Sequence, residues 1–373
     1  MQPKVTIILP VYNVEPYLRQ CLDSVVNQTM REIQIVCVND GSTDGSLAIL
    51  REYESRDSRI EIIHQENQGG GSARNAAYPF IRGKYTYFVD PDDWIELDLC
   101  RRCYDKAEAT EADFVALRCI EHKPYPKCSP PFDPMLPEVR QAPEEKSGEF
   151  VGRGAGTWKK FSRSDFLLLN NIRCSEGKRP YNDQLFAWKG MVLANRIAIL
   201  DSPLYHYRIR QGSYQRTIDE SHFIIAETFN EIEKMLHETE RYESYRNLFH
   251  EEKFAHYSVC YRRLPPTLRS KFLELIRRSL AEIDREFYRK TGIMKKRELR
   301  FYRGIVEGNR LETAKYYFFE IIKLPERLWK VAVINPWRTV LAHCTNTPPS
   351  TTNTNTIPFP AQESGESPER RVA

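Results

Sequence analysis

The sequence predicts an α/β protein built on a mostly parallel sheet with helices on both faces. Two observations carry this. Short apolar β-rich runs alternate with stretches of helical spacing, and polar clusters stand where successive runs end. Such alternation calls for crossover helices and therefore parallel strands. Open sheets of this kind bind ligands beyond the carboxyl ends of their strands.

Residues 5–9 form the first apolar run, and Leu18, Cys21, Leu22, Val25 and Val26 then recur at helical spacing. Residues 33–38 predict a second strand, closed by the turn sequence Asn39-Asp40-Gly41-Ser42, and residues 47–53 a helix. A third strand is expected at 60–63. A helix at 72–80 opens after Gly69, Gly70 and Gly71, and a fourth strand at 85–89 ends on aspartates. A helix at 97–108 and a strand at 114–117 follow. Pro10-Val11-Tyr12-Asn13, Asp40 and the run from Asp90 to Asp93 all stand at predicted strand ends.

Pro124, Pro126, Pro130, Pro131, Pro134, Pro137 and Pro143 argue against regular elements over 121–150, so a long excursion is expected there. Globular patterning resumes at Trp158 and runs to about residue 210. From Phe223 the chain reads as helical. Ile225, Phe229, Ile232 and Leu236 share one face, as do Phe272, Leu275, Leu280, Ile283 and Phe287. Residues 289–303 are rich in Lys and Arg, residues 316–337 in large apolar side chains, and the Thr, Asn, Pro, Ser and Glu beyond Cys344 predict a disordered tail. The predicted organisation is a first half at 1–120, a second half at 121–215, a helical region at 216–344 and the tail at 345–373.

The 373 residues are 41% hydrophobic and 28% charged, the composition of a soluble globular protein. A net charge of +4 suits a protein that handles phosphate-like anions. It is too weak to argue for nucleic acid, and no aromatic-basic RNA-binding motif occurs. Nine scattered cysteines read as reduced thiols, and Cys100-x-x-Cys103 without a second pair is a poor zinc signal. The N-terminus enters the first strand without a signal-peptide pattern, and no apolar run reaches the ~18 residues of a membrane span. A cytoplasmic location is therefore expected. The basic, aromatic C-terminal helices suit either contact with the inner face of the plasma membrane or helical packing and a homodimer contact.

Asp90 and Asp92 are two residues apart, so in an extended segment both carboxylates face one side. Pro91 keeps Asp90 out of the helical region. Paired carboxylates at a strand end suit a hard cation, Mn²⁺ or Mg²⁺, bridging diphosphate oxygens. The same Asp-Pro-Asp-Asp run is also good turn chemistry, with Asp92 or Asp93 capping a helix after Trp94.

Four segments set the Asp-Pro-Asp-Asp run in context: residues 5–13 (VTIILPVYN), 38–44 (VNDGSTD), 67–75 (NQGGGSARN) and 88–94 (FVDPDDW). In this order and spacing they resemble the successive motifs of the family 2 glycosyltransferases, inverting enzymes with a GT-A fold. The resemblance covers roughly residues 4 to 120. A second block, from Gly156-Thr157-Trp158-Lys159 to Tyr205-His206-Tyr207-Arg208-Ile209-Arg210, resembles the acceptor half of bacterial members.

The resemblance implies a nucleotide-sugar donor, a UDP-sugar by preference, and a hydroxyl of a glycan or lipid-linked sugar as acceptor, in cell-surface polysaccharide synthesis. It implies that Pro10, Val11 and Tyr12 line the base and ribose pocket and that Asp40 accepts a hydrogen bond from the base. Bottom-up, an acidic residue ending the second strand is also where dinucleotide folds hold a ribose. Arg74 would face the nucleotide or its phosphates, a role for which its forked, permanent cation is suited. Pro91 would lie against the nucleotide, Asp92 would be the direct metal ligand, and Asp90 would contact ribose, metal or metal-bound water. Gly69 to Gly71 would let backbone approach a ligand closely. Asp183 would be the base that takes the acceptor proton, with Asn182 standing where the family usually has Glu. Trp158 and Lys159 resemble an acceptor-side motif, though packing explains Trp158 equally. His206 would be a further metal ligand, or merely a residue of an alternating strand. Arg208 and Arg210 reach diphosphate or stand exposed.

A catalytically inactive nucleotide-sugar binder is the rival from another class, motivated by Asn182. A sugar nucleotidyltransferase lacks support because no Gly-rich, Arg-Lys-type nucleotide loop opens the chain. No G-x-G-x-x-G follows the first strand and no G-x-x-x-x-G-K-[ST] occurs, which disfavours a dehydrogenase and excludes a P-loop kinase. A processive synthase is disfavoured by the lack of spans and of a Gln-x-x-Arg-Trp motif.

Overall fold

The computed structural model describes residues 2–122, 127–128, 139–141, 156–209 and 219–281, together with 303, 304 and 308. The chain divides into two compact units, Met1–Glu298 and Leu299–Ala373. The basic segment beyond 289, apart from Arg303, and the apolar 316–337 stretch lie outside the described residues, as does the tail.

The first half follows the predicted alternation: β1 (Val5–Val11), α1 (Glu15–Val26), β2 (Ile33–Asp40), α2 (Ser46–Glu54), β3 (Ile60–Gln65), α3 (Gly70–Ala76), β4 (Tyr85–Phe88), β5 (Trp94–Ile95), α4 (Leu99–Thr110) and β6 (Phe114–His122). The second half adds β7 (Lys127–Cys128), β8 (Val139–Gln141), β9 (Lys160–Arg163), α5 (Ser164–Leu169), α6 (Gln184–Leu193) and β10 (Arg196–Arg208). Three helices close the described chain: α7 (Ile225–Glu238), α8 (Tyr242–Arg263) and α9 (Pro266–Ala281).

The described strands form one sheet in the order β3-β2-β1-β4-β9-β6-β10-β5, with β7 on β6 and β8 on β10. β1 pairs in parallel with β2 and β4, β2 with β3, and β6 with β10; β9 and β5 run antiparallel to their neighbours. β1 and β2 are buried along their whole lengths, which is why their sequences read as almost unbroken apolar runs. Alternate residues of β1 serve opposite faces. Ile7, Leu9 and Val11 join Leu18, Leu22 and Val25 of α1 and Leu99 and Cys103 of α4 in one core. Ile8 joins Ala73 of α3, Phe166 of α5 and Phe186 of α6 in the other.

Two expectations need correction. Regular structure is present within 121–150: β6 runs on to His122, and β7 and β8 pair with β6 and β10. Both added strands fall in proline-free pieces, so their backbone N–H groups remain available for pairing. The residues after Asp93 form the strand β5, paired with His206 and Tyr205, rather than a helix that Asp92 or Asp93 could cap. Helix α4 starts only at Leu99. In α7 the predicted face is the buried one, with Ile225, Phe229, Ile232 and Leu236 all inaccessible. In α9 Phe272 and Ile276 are fully buried, whereas Leu275 is only partly so.

The triple glycine answers to protein packing. Gly69 has φ +92°, and a Cβ there would stand 2.4 Å from the Gly177 carbonyl oxygen; at Gly71 it would stand 2.1 Å from that of Ser175. The backbone approaching α3 is therefore the segment leading to α6. Asn75 clamps it, donating from Nδ2 to the Cys174 carbonyl (2.9 Å) and accepting from the Cys174 N–H (3.0 Å). Gly71→Ala is expected to lower stability by about 1–3 kcal/mol through overpacking against Ser175, read from urea denaturation as a lower midpoint with an unchanged slope.

Candidate active site

β1, β2 and β4 end at one edge of the sheet, and three loops meet there. The loop after β1 is laced to the loop after β2. Asn13 accepts from the Thr43 N–H (2.8 Å), and the Asn13 and Val14 N–H groups donate to the hydroxyls of Ser42 and Ser46. Asn13 sits at φ +49°, a left-handed conformation that asparagine tolerates. Val11 is buried, whereas the Tyr12 ring is 45% exposed at the rim. Asp40 is buried, and its carboxylate accepts from Gln65 Nε2 and the Gln68 N–H at Oδ1 and from the Gly69 N–H at Oδ2, at 2.7–2.8 Å. It thereby ties β2 to the loop entering α3.

Residues 90–93 form a tight turn closed by the Asp93 N–H on the Asp90 carbonyl (3.0 Å). Each aspartate has its own surroundings. Asp90 forms an ion pair with Arg74 of α3 through Nη2. Asp92 presents its backbone carbonyl to Arg208 Nε (2.8 Å). Asp93 is buried, accepting from the Tyr205 hydroxyl (2.6 Å) and the Arg208 N–H (2.7 Å). Burial, and then the charges of Asp90 and Asp92, push Asp93 up to about 9. Tyr205 Oη also accepts from the Asp90 N–H (3.2 Å), and Arg208 lies over the rings of Trp94 and Tyr17. Arg208, whose place in sequence left two roles open, thus braces the aspartate turn. Bulges in β10 around Pro203 bring Tyr205 into this register.

Asp183 stands at the start of α6 in the N-cap position, yet its side chain makes no capping bond. Burial raises its pKa, against the opposing charges of Arg74 and Lys160. The preceding Tyr181 holds φ +61°, a strained conformation for a tyrosine, and its hydroxyl meets the Cys260 thiol of α8 at 2.9 Å. Asn182 accepts from Arg74 Nη1 (3.4 Å) and donates to the Arg179 carbonyl (3.2 Å). Arg179 in turn grips Glu231 of α7 with both terminal nitrogens (3.0–3.1 Å). Phe186 packs edge-on against Phe88, ring centroids 5.5 Å apart. The start of α6 is thereby held beside the end of β4, and Arg74, Asp90 and Asp183 share one electrostatic neighbourhood.

The remaining expected site residues lie as follows. His206 spends both ring nitrogens within the protein, on Glu96 (2.8 Å) and His122 (2.9 Å), under a parallel-stacked Trp94. Trp158 stacks on Tyr205 (4.3 Å, 13°) in the core, with Lys159 over its ring. Arg210 lies outside the described residues. Sequence reasoning missed Tyr205 and Lys160. The tyrosine lies more than a hundred residues from the aspartates it holds. Lys160 follows Lys159, and only the start of β9 tells the half-buried member of the pair from the fully buried one.

Could the site hold a divalent cation? Among the described residues no cluster of three or more His, Cys, Asp or Glu is arranged to bind one. Asp90 and Asp92 do fit the other known arrangement, in which one or two carboxylates are completed by phosphate oxygens and water. The described cysteines are free and buried, and burial lifts Cys37 and Cys100 to about 12, so they act as inert core groups.

The fold is an α/β sheet with a cluster of polar groups at the carboxyl ends of its strands, and comparison with known proteins identifies the family. The sequence model described as Glycosyl transferase family 2 matches residues 6–156. EpsH of Bacillus subtilis (strain 168), assigned as a glycosyltransferase, is 34% identical over 268 residues, spanning 69% of this chain and 76% of EpsH. Glycosyltransferase GlyA of Streptococcus pneumoniae is 36% identical over 227 residues, 57% of this chain and 32% of GlyA. Residues 1–349 of S. aureus TarS, solved with UDP-GlcNAc, share the fold with a TM-score of 0.68 at 20% identity, covering 84% of this chain and 89% of that one. The chain belongs to glycosyltransferase family 2 and is a glycosyltransferase with a GT-A type fold.

Tyr205→Phe removes one hydroxyl that serves both Asp93 and the Asp90 N–H. It is expected to cost roughly 1–3 kcal/mol of stability and to weaken nucleotide binding, as measured by denaturation and by calorimetric titration with UDP.

Proposed function

We propose that the protein transfers a sugar with inversion from a UDP-sugar to a hydroxyl of a glycan or lipid-linked acceptor in bacterial cell-surface polysaccharide synthesis. The observation that carries this reading is the convergence of Arg74, Asp90 and an uncapped, desolvated Asp183 at one end of the sheet. The likeness to a protein solved with UDP-GlcNAc supports a uridine diphosphate donor.

Each group has a task in this reading. Pro10, Val11 and Tyr12 border the base and ribose, with Asp40 setting the loop beside them. Arg74, fixed by Asp90 and Asn182, offers a permanent cation to the diphosphate. Its Nε is buried without a hydrogen-bond partner among the described residues. Asp92, with Asp90, would hold Mn²⁺ or Mg²⁺. A cation there, when bound, neutralises charge on the departing diphosphate. Asp183 takes the proton from the acceptor hydroxyl as its oxygen attacks the anomeric carbon, and its raised pKa makes it a stronger base than an ordinary aspartate. Asn182, in place of the usual Glu, aligns Arg74 with the base-bearing segment.

UDP with Mn²⁺ is expected to raise the melting temperature, and Asp92→Asn to abolish the Mn²⁺-dependent part of that rise. Failure of UDP and of every UDP-sugar to raise it refutes the donor reading. Asp183→Asn is expected to lower transfer roughly 10²–10⁴-fold while leaving the UDP-induced rise intact; loss of both removes Asp183 from the base role. The rate should fall with acidification through a pKa above the ~3.9 of a free aspartate, because Asp183 works as the carboxylate and burial favours its protonated form.

A further inference from the structure

Lys160 opens β9 and is 2% exposed, yet its ammonium has no hydrogen-bond partner among the described residues. An ammonium carries three donors and no acceptor, so burying it without a partner is costly. Its position is defined by two ladders. Lys160 pairs with Ala116 of β6. In the β4–β9 ladder Tyr85 pairs with Arg163 and Thr86 with Ser162, which sets Lys160 towards the Phe88 end of β4. Ala116 and Phe88 both belong to the core face that Phe186 of α6 covers. Asp90 lies two residues beyond Phe88, and Asp183 three residues before Phe186. Lys160 therefore rises from the sheet beneath the gap between the diphosphate clamp and the base.

Other groups at this place leave the ammonium unmatched. Asp183 attracts it through space, with no hydrogen bond between them, while the adjacent Lys159 repels it. Burial is the larger influence and brings Lys160 down to about 8, so it stays mostly protonated at neutral pH. A buried, unpaired donor beside Asp183 calls for a ligand that brings an acceptor, which a sugar hydroxyl supplies. In a single displacement the transferred sugar must occupy this gap, with the diphosphate on one side and the attacking oxygen on the other.

We propose that Lys160 is a substrate-binding residue whose ammonium donates to a hydroxyl oxygen of the sugar being transferred, beside Asp183. This rests on the donor reading given above. The fold retains an unpaired buried cation because the substrate completes it, and the protein without donor carries the cost.

The test compares wild type with Lys160→Met, which keeps the length of the side chain and removes its charge and donors. Melting temperature is measured without ligand, UDP affinity by calorimetry with Mn²⁺, and UDP release from UDP-glucose, UDP-galactose, UDP-GlcNAc and UDP-glucuronate. The expected result is an unchanged or higher melting temperature, UDP affinity within about twofold, and turnover down roughly 10- to 100-fold, the loss of one charged hydrogen bond. Lys160→Arg, which keeps charge and donors, should recover part of the rate. Undiminished turnover of Lys160→Met overturns the proposal. So does a lower melting temperature, which would make the ammonium part of the fold, or an equal loss of UDP affinity, which would place it at the nucleotide. A wild type that neither binds UDP nor consumes any of the four sugars refutes the donor reading itself. A wild type that does both while Lys160→Met matches it refutes Lys160 alone.

Discussion

The ion pair between Arg74 and Asp90 is the constraint on which the site depends. It joins α3 to the end of β4, and through Asn182 the same guanidinium reaches the segment that carries Asp183. A pair this buried contributes little net stability, because desolvating both charges offsets most of their attraction. Its value lies in fixing geometry. With Asp90 engaged, Arg74 cannot swing away from the sheet edge, and its Nε is buried without a hydrogen-bond partner among the described residues. The glycines of α3 serve the same joint, since only hydrogen at Gly69 and Gly71 lets the base-bearing segment lie against the helix that carries Arg74.

The C-terminal helices hold the other side of that joint. Arg179 reaches Glu231 and Thr228 of α7, Tyr181 reaches Cys260 of α8, and Gln184 meets His256 of α8 at 3.2 Å. The side chains of Arg179, Tyr181, Asn182 and Gln184 thus tie this segment to α3, α7 and α8. Aromatic packing then binds the helices to one another, Trp188 and Phe229 both meeting Phe249 edge-on. Asp183 is left uncapped and desolvated. The C-terminal helices take part in positioning the segment that carries it.

Much of the fold was legible because it is local. The alternation of apolar runs and helical faces set β1 to β4 in order, and the burial of β1 on both sides explains its unbroken apolar pattern. The four motifs fall at the sheet edge where β1, β2 and β4 end. What sequence could not show is tertiary. The triple glycine reads as a ligand cradle, but the backbone it admits belongs to Ser175 and Gly177. The Asp-Pro-Asp-Asp run reads as a helix start, but Tyr205 and Arg208, over a hundred residues away, claim Asp93. For Trp158 the sequence left an acceptor-side role and packing equally open, and its ring is stacked on Tyr205. The burial of Lys160 is decided by the phase of β9 between β4 and β6, which the local sequence does not fix.

The proposed function sets a proton acceptor, Asp183, and a diphosphate clamp, Arg74 with Asp90, at one end of the sheet, an arrangement for single displacement. The stereochemistry of the product tests this most directly. The anomeric configuration of the newly formed linkage, read from its proton coupling constant by NMR after transfer from an α-linked UDP-hexose, is expected to be β. An α linkage would require double displacement or front-side attack and would contradict the assignment of Asp183 as the base of a single displacement.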